Sequence, residues 1–144
     1  MITDKLLRVS EDQVVTASAV STNTIDLSVN RDIGEGKNLY MVFTVTADFA
    51  TLTDLTFQIL NDDSAALGSP TVLASSDAIA AASLVAGKQV VLQIPPQIAS
   101  KGLQYLGAKY VVGGSSATTG KVTTDIVEAI QDGKKFYASG FTVV

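Results

Sequence analysis

Apolar and polar residues alternate most cleanly between positions 39 and 48. Leu39, Met41, Phe43, Val45 and Ala47 share one face, with Tyr40, Thr44, Thr46 and Asp48 among those on the other, the period of a strand that buries one side. Leu55, Phe57 and Ile59 repeat the pattern after the short connection TLTD, which predicts two antiparallel neighbours. The turn formers of NDDSAALGSP (61–70) then end the second strand. Val90, Leu92 and Ile94 alternate up to Pro95 and Pro96, which remove two ladder donors in succession, so this strand stops there or lies at an edge. Leu106, Ala108, Tyr110 and Val112 fall in phase within LQYLGAKYVV, and GGSSATTG (113–120) is expected to be a flexible loop. A last pair, KVTTDIVEAIQ and KKFYASGFTVV, is joined by Asp132-Gly133, the dipeptide favoured in two-residue hairpin turns.

The segment SSDAIAAASLVAG (75–87) is open between an irregular strand and a short helix capped by Ser76 or Asp77 and ended by Gly87. With the weaker VVTASAV and NTIDLSV, about eight short strands result, separated by Gly, Pro, Asp and Ser turns, with little or no helix. The expectation is an all-β chain folded as an antiparallel β-sandwich or jelly roll. No linker or internal repeat divides it, so residues 14–144 are expected to form a single β-sandwich domain. Residues 1–13 precede it as an N-terminal arm or a first strand. There Ile2, Leu6, Leu7 and Val9 lack clean alternation and are interrupted by charges of both signs.

Composition narrows the chemistry. At 144 residues the chain is large enough to bury roughly two thirds of its unfolded surface without external staples. It contains no cysteine and no histidine, which removes thiolate chemistry, the commonest general base and the commonest zinc ligand. A net charge of −4, with Lys134-Lys135 as the only adjacent bases, argues against nucleic acid as partner. No apolar run approaches the ~20 residues of a membrane helix. Asp4, Lys5, Arg8, Glu11 and Asp12 break up any signal-peptide core. The protein is expected to be made and kept in the cytoplasm, or in something assembled there.

The motifs that could carry ligands fall short. GEGK has Arg31 where a P-loop needs its first glycine and Asn38 where it needs the hydroxyl. Leu39 stands where a dinucleotide fingerprint has its third glycine. Gly34 and Gly36 are therefore expected to shape a turn that launches the Leu39 strand. Asn61, Asp62, Asp63 and Ser64 resemble half of a calcium loop but lack its spacing and distal glutamate, so a solvated turn is expected. Asp125 and Glu128 are isolated on strands and are assigned to a charged outer face. Tyr40, Tyr105, Tyr110 and Tyr137 are expected at sheet surfaces or interfaces. No catalytic, cofactor-binding or metal-ligating residue is assigned, and a non-catalytic protein is expected.

Three stretches in order carry a resemblance: MITDKLLRVSEDQVVTASAVSTNTIDL, then RDIGEGKNLYMVFTVTADF, then a Pro-Pro step before YLGAKYVVGGSSATTGKVTTDIV. Over nearly the full length this layout resembles the jelly-roll capsid cement proteins of short-tailed bacteriophages. Two positions depart from the pattern: Gln104 precedes Tyr105 where an arginine is expected, and Ser28 stands where a glycine is usual. The resemblance implies a structural protein of the virion that binds the outer surface of an icosahedral head. Its partners would be the major capsid protein and itself, as homodimer or homotrimer, with no nucleic acid, membrane, cofactor or catalytic residue. Candidate contacts are Leu6, Leu7 and Arg8 in the first segment and Arg31, Asp32 and Tyr40 in the second. The competing class is a non-catalytic β-sandwich module that binds carbohydrate or protein, although such modules typically display exposed aromatics and this chain has no tryptophan. A small hydrolase on a β scaffold is a third.

Overall fold

A computed structural model describes residues 3–28, 37–95 and 103–130. Among the described residues ten strand segments run in chain order: β1 (Arg8–Val14), β2 (Ala19–Val20), β3 (Ile25–Asp26), β4 (Leu39–Ala50), β5 (Asp54–Asp62), β6 (Thr71–Ser75), β7 (Ile79–Ala80), β8 (Gln89–Ile94), β9 (Tyr105–Gly113) and β10 (Thr119–Val127). Single turns of 3₁₀ helix occupy Lys5–Leu7 and Ala81–Ser83. Sheet A has the order β1-β10-β4-β8, while sheet B follows β2-β9-β5-β6 with β3 also on β9 and β7 also on β5. Of the strands that the turn spacing predicts, KKFYASGFTVV lies outside the described residues, whereas β6 (Thr71–Ser75) is present without having been predicted.

Every pairing is antiparallel, and the order has a simple logic. The chain folds on itself as one long ribbon in which β1 meets β10, β2 and β3 meet β9, β4 meets β8, and β5 meets β6 and β7. Rolling that ribbon brings β10 against β4 and β9 against β5, which closes the two sheets of a jelly roll. The expectation that the Leu39 and Leu55 strands are hydrogen-bonded neighbours is therefore wrong. TLTD is a corner that carries the chain from sheet A to sheet B, with Thr51 at φ 73° in the left-handed region and Leu52 buried beneath it. Alternation alone does not separate the two cases, because strands in facing sheets also turn their apolar faces toward each other.

The inward faces meet in one core. Phe43 of sheet A lies 5.0 Å from Phe57 of sheet B with the rings tilted, and both stand roughly perpendicular to the Tyr110 ring at 6.3 and 6.1 Å, contacts of about 0.5–1.5 kcal/mol each beyond area burial. Met41, Val45, Leu55, Ile59, Leu84, Ala108 and Val122 complete the centre, all fully buried. Tyr110 thus lies in the core, contrary to its expected surface position, because partners for its hydroxyl are built into the interior.

Other segments sort out by hydrogen bonding. Within 75–87 the chain forms β7 and then one 3₁₀ turn, and Ser76 caps nothing: its Oγ accepts from the Phe57 amide and donates to the Asp77 carbonyl. The 113–120 loop is not loose, since the Ala117 and Thr118 amides donate to Thr16 and Ala50 carbonyls and Ala117 is buried. Pro96, the Asp132-Gly133 turn and the KKFYASGFTVV strand lie outside the described residues.

Candidate functional site

Ribbon pairing gathers particular strand ends. Leu39 faces Ile94, Tyr40 faces Val127 and Arg8 faces Asp125, all at one end of sheet A. The β4–β5 and β9–β10 links cross at the opposite end, so Asp26, Asp62 and Tyr105 of sheet B share the Leu39 end.

The N-terminal turn is presented at this end. Asp4 caps it by accepting the Leu6 amide at 2.9 Å, while the Leu7 amide reaches the Asp4 carbonyl. The cap holds a three-residue turn that would not persist alone, and it leaves Leu6 84% and Leu7 38% exposed. Arg8 then enters the sheet. Its Nε donates to Asp125 at 2.8 Å and its NH1 to Glu11 at 2.9 Å. The hydrogen bond and charge of Asp125, with a smaller share from Glu11, raise its pKa further against the opposing effect of burial. Arg8 is thus committed to an internal pair rather than held free for a partner. Asp125 belongs to the outer face as expected, yet it is buried, as are Val42 and Val127 on the same face.

Tyr40 is half-buried between Val127 and Gln93. The structure therefore brings Leu6, Leu7, Arg8 and Tyr40 to one end of sheet A, whereas Arg31 and Asp32 lie outside the described residues. Gly34 and Gly36 do too, but the Lys37 ammonium that follows them pairs with Glu128 across the same end. That contact raises the Lys37 pKa and lowers that of Glu128. Two further apolar residues are exposed here, Leu27 at 37% and Leu39 at 44%. Sequence reasoning missed them because both sit in phase with strand patterns and only their position at a strand end exposes them.

Gln104 and Ser28, the two positions that depart from the resemblance, meet at Asp26. Gln104 Nε2 donates to Asp26 Oδ1 at 2.8 Å and the Ser28 amide donates to the same oxygen at 2.7 Å. The Gln104 contact first, then the Ser28 amide, lowers the Asp26 pKa against a small opposing effect of burial. Ser28 adopts φ 65°, the region where a glycine sits without strain.

The suspected calcium loop is a self-contained turn. Burial pulls the Asp62 carboxyl upward, but amides of Ser69, Asp63 and Ser64 donate to it and together with the Asp63 side chain they hold its pKa below the ordinary value. Asn61 points into the core and donates to the carbonyls of Leu103 and Tyr105. The loop folds Leu67 over the outer face of sheet B, where Gly107 makes room: a Cβ there would lie 2.6 Å from Leu67 Cδ1.

A hydroxyl chain links the core to the first strand. The Tyr110 phenol donates to Ser10 Oγ at 2.7 Å, and Ser10 donates to Gln13 Oε1 at 2.7 Å. With its one proton committed, Tyr110 accepts from Thr124, 2.8 Å away. Gln13 continues outward, accepting the Thr22 amide and donating to the Val20 carbonyl. Burial outweighs these hydrogen bonds and pushes the phenol up to about 12, so it is a neutral structural group at ordinary pH.

Among solved structures, the crystal structure of PirA aligns with a TM-score of 0.48 at 15% identity, covering 88% of this chain and 97% of that one. A mutant of Xylanase10C from Cellvibrio japonicus in complex with xylopentaose aligns with a TM-score of 0.46 at 15% identity, covering 81% of this chain and 22% of that one. Neither likeness bears on activity. No curated protein sequence matches. A family model does: Bbp16 matches residues 9–126, from the second residue of β1 almost to the end of β10, and on that span the chain belongs to the Bbp16 family.

Proposed function

We propose that this chain is a capsid cement protein: a structural, non-catalytic jelly roll that binds the outer surface of a phage head and reinforces contacts between major capsid subunits. The observation that carries the reading is the Leu39 end, where Leu6, Leu7, Leu27 and Leu39 are exposed together beside Arg8 and Tyr40. Exposed apolar residues gathered on a rigid scaffold mark an interaction site. What further supports the reading is the order of motifs along the chain, which resembles that of cement proteins.

Leu6 and Leu7 act as apolar anchors on the shell, and the Asp4 cap presents them without a folding cost at the moment of contact. The test uses heads stripped of the protein and refilled in vitro. Deleting residues 2–11 is uninformative, since Val9 and Ser10 are fully buried. Leu6→Asp with Leu7→Asp is the useful variant. It is expected to melt cooperatively within a few degrees of the parent and to lose recovery with heads at least tenfold. Normal decoration by a folded double variant places the contact elsewhere; failure of the parent itself to bind any head removes the reading.

A further inference from the structure

A sandwich buries the inward face of each sheet and leaves the outward face to polar residues and solvent, yet both outward faces here carry buried apolar residues. On sheet B these are Leu60 and Leu67, which stand apart from the core between the sheets. The 63–70 turn accounts for them by laying Leu67 over Gly107, the neighbour of Leu60 on β9. On sheet A they are Val42 and Val127, buried and likewise outside the core.

Burial on the outward face of sheet A falls off in one direction. Along β4, Val42 is buried, Thr44 half-buried and Thr46 exposed, while along β10 Val127 and Asp125 are buried, Thr123 half-buried and Lys121 exposed. The cover therefore enters from the Leu39 end and fades by the row that pairs Thr44 with Thr123. Arg8 reaches Asp125 from β1, and the capped turn lies against β10 with Leu6 exposed, so these supply only its margin. Val42 is one strand further in, on β4, whose main neighbours among the described elements are β10 and β8 in its own sheet and the Ala81–Ser83 turn at the far end.

We propose that the outward face of sheet A is a docking surface for this chain's own residues 134–144, which cross it from the Leu39 end and cover Val127 and Val42. The chain that follows β10 leaves at Val127, where the cover enters. It cannot turn back at Asp132-Gly133 to pair beside β10, because β1 and β4 already hold both edges of that strand. Residues 134–144 carry Phe136, Tyr137, Phe141, Val143 and Val144, and eleven extended residues span roughly 36 Å, more than the width of four strands about 4.8 Å apart. Two other stretches adjoin the same end, but 29–36 is spent on passing from sheet B to sheet A and 96–102 on passing back. Their large aliphatic residues are Val29 and Ile33 in the first and Ile98 in the second. This docking does not rest on the cement reading, because it is a property of the free protein.

The absence of cysteine from the chain makes the test direct: single cysteines are introduced on the outward faces and their rate of reaction with a thiol reagent is read. In the full chain Val42→Cys is expected to react about a hundredfold more slowly than Thr46→Cys on the same face, with Leu60→Cys, beneath Leu67, as slow. Adding Phe136→Ser and Phe141→Ser should bring Val42→Cys close to the rate of Thr46→Cys and leave Leu60→Cys slow, which also shows that the chain is still folded. Ile33→Ser with Ile98→Ser should leave Val42→Cys slow. If the double phenylalanine variant frees both buried positions by unfolding, Phe141→Ala decides, and it is expected to speed Val42→Cys severalfold without changing Leu60→Cys. A Val42→Cys that stays slow without the phenylalanines, or that is freed by the isoleucine changes instead, gives the cover to another segment and overturns the proposal. Release of Val42→Cys and Leu60→Cys together in Phe141→Ala overturns it as well, since the segment then belongs to the core.

Discussion

Strands β1 and β8 border the same sheet, yet their outer edges are finished differently. Along β1 the Asn23 amide takes the Val9 carbonyl, Gln13 takes the Thr22 amide and the Val20 carbonyl, and the hydroxyl chain behind it runs to Tyr110. Along β8 the side chains of Gln89 and Gln93 turn back to Thr44 and Asn38, and among the described residues no backbone group pairs with its outer edge. Irregularity protects an edge from pairing with another chain. The same irregularity hides a strand from sequence patterning, so the strand hardest to recognise here is the one best defended.

The largest expected effect comes from unseating β1. Gly120 accepts the Val15 amide and sits at φ 143°, where an added Cβ would meet the Phe49 ring at 2.2 Å. Gly120→Ala should cost about 3 kcal/mol from strain and overpacking, while Val91→Ala on β8 costs less than about 1 kcal/mol. Urea melts of the two variants check the contrast, and equal losses would erase it.

Next is the phenol that anchors the β1 clasp. Tyr110 is raised from 10.0 to about 12, so its contribution is complete below pH 10 and is lost as pH climbs through 12. The total is about 3 kcal/mol. Tyr110→Phe should remove that alkaline decline and, at neutral pH, cost about 1–3 kcal/mol by stranding the Ser10 and Thr124 hydroxyls. Hydrogen exchange sharpens the point: β1 amides should lose protection in this variant well before those of β8.

The smallest effect lies away from both edges. Ser28→Gly relieves a left-handed serine and should gain about 0.5 kcal/mol, leaving exchange at β1 and β8 unchanged. A thermal melt with a shift of the opposite sign would show that the Ser28 conformation carries no strain.

Where the chain is regular, its architecture was legible. β4, β5, β8 and β9 follow period-two patterns, and their inward residues are those that the alternation selects. β1 was obscured because its two register shifts break the alternation, which buries the adjacent residues Val9 and Ser10 together. Sheet membership was not legible at the TLTD corner, since hairpin neighbours and facing strands give one pattern. At the candidate site, Leu6 and Leu7 stood out by disrupting periodicity. Leu27 and Leu39 did not, for they obey it. The internal commitment of Arg8 to Asp125 joins residues 117 positions apart, a distance over which pattern carries no information.

That separation also sets a timetable. β1 is synthesised among the first strands and its sheet partner β10 among the last described, so at roughly 5–20 residues per second the nascent strand waits on the order of ten seconds for the ladder that holds it. Contacts of such high sequence separation make folding slow, and β10 also fills the gap between β1 and β4. A ribosome stalled before Thr119 would leave both strands without their shared neighbour. Sheet A therefore closes only once β10 has been made, although the β4–β8 pair can form before it.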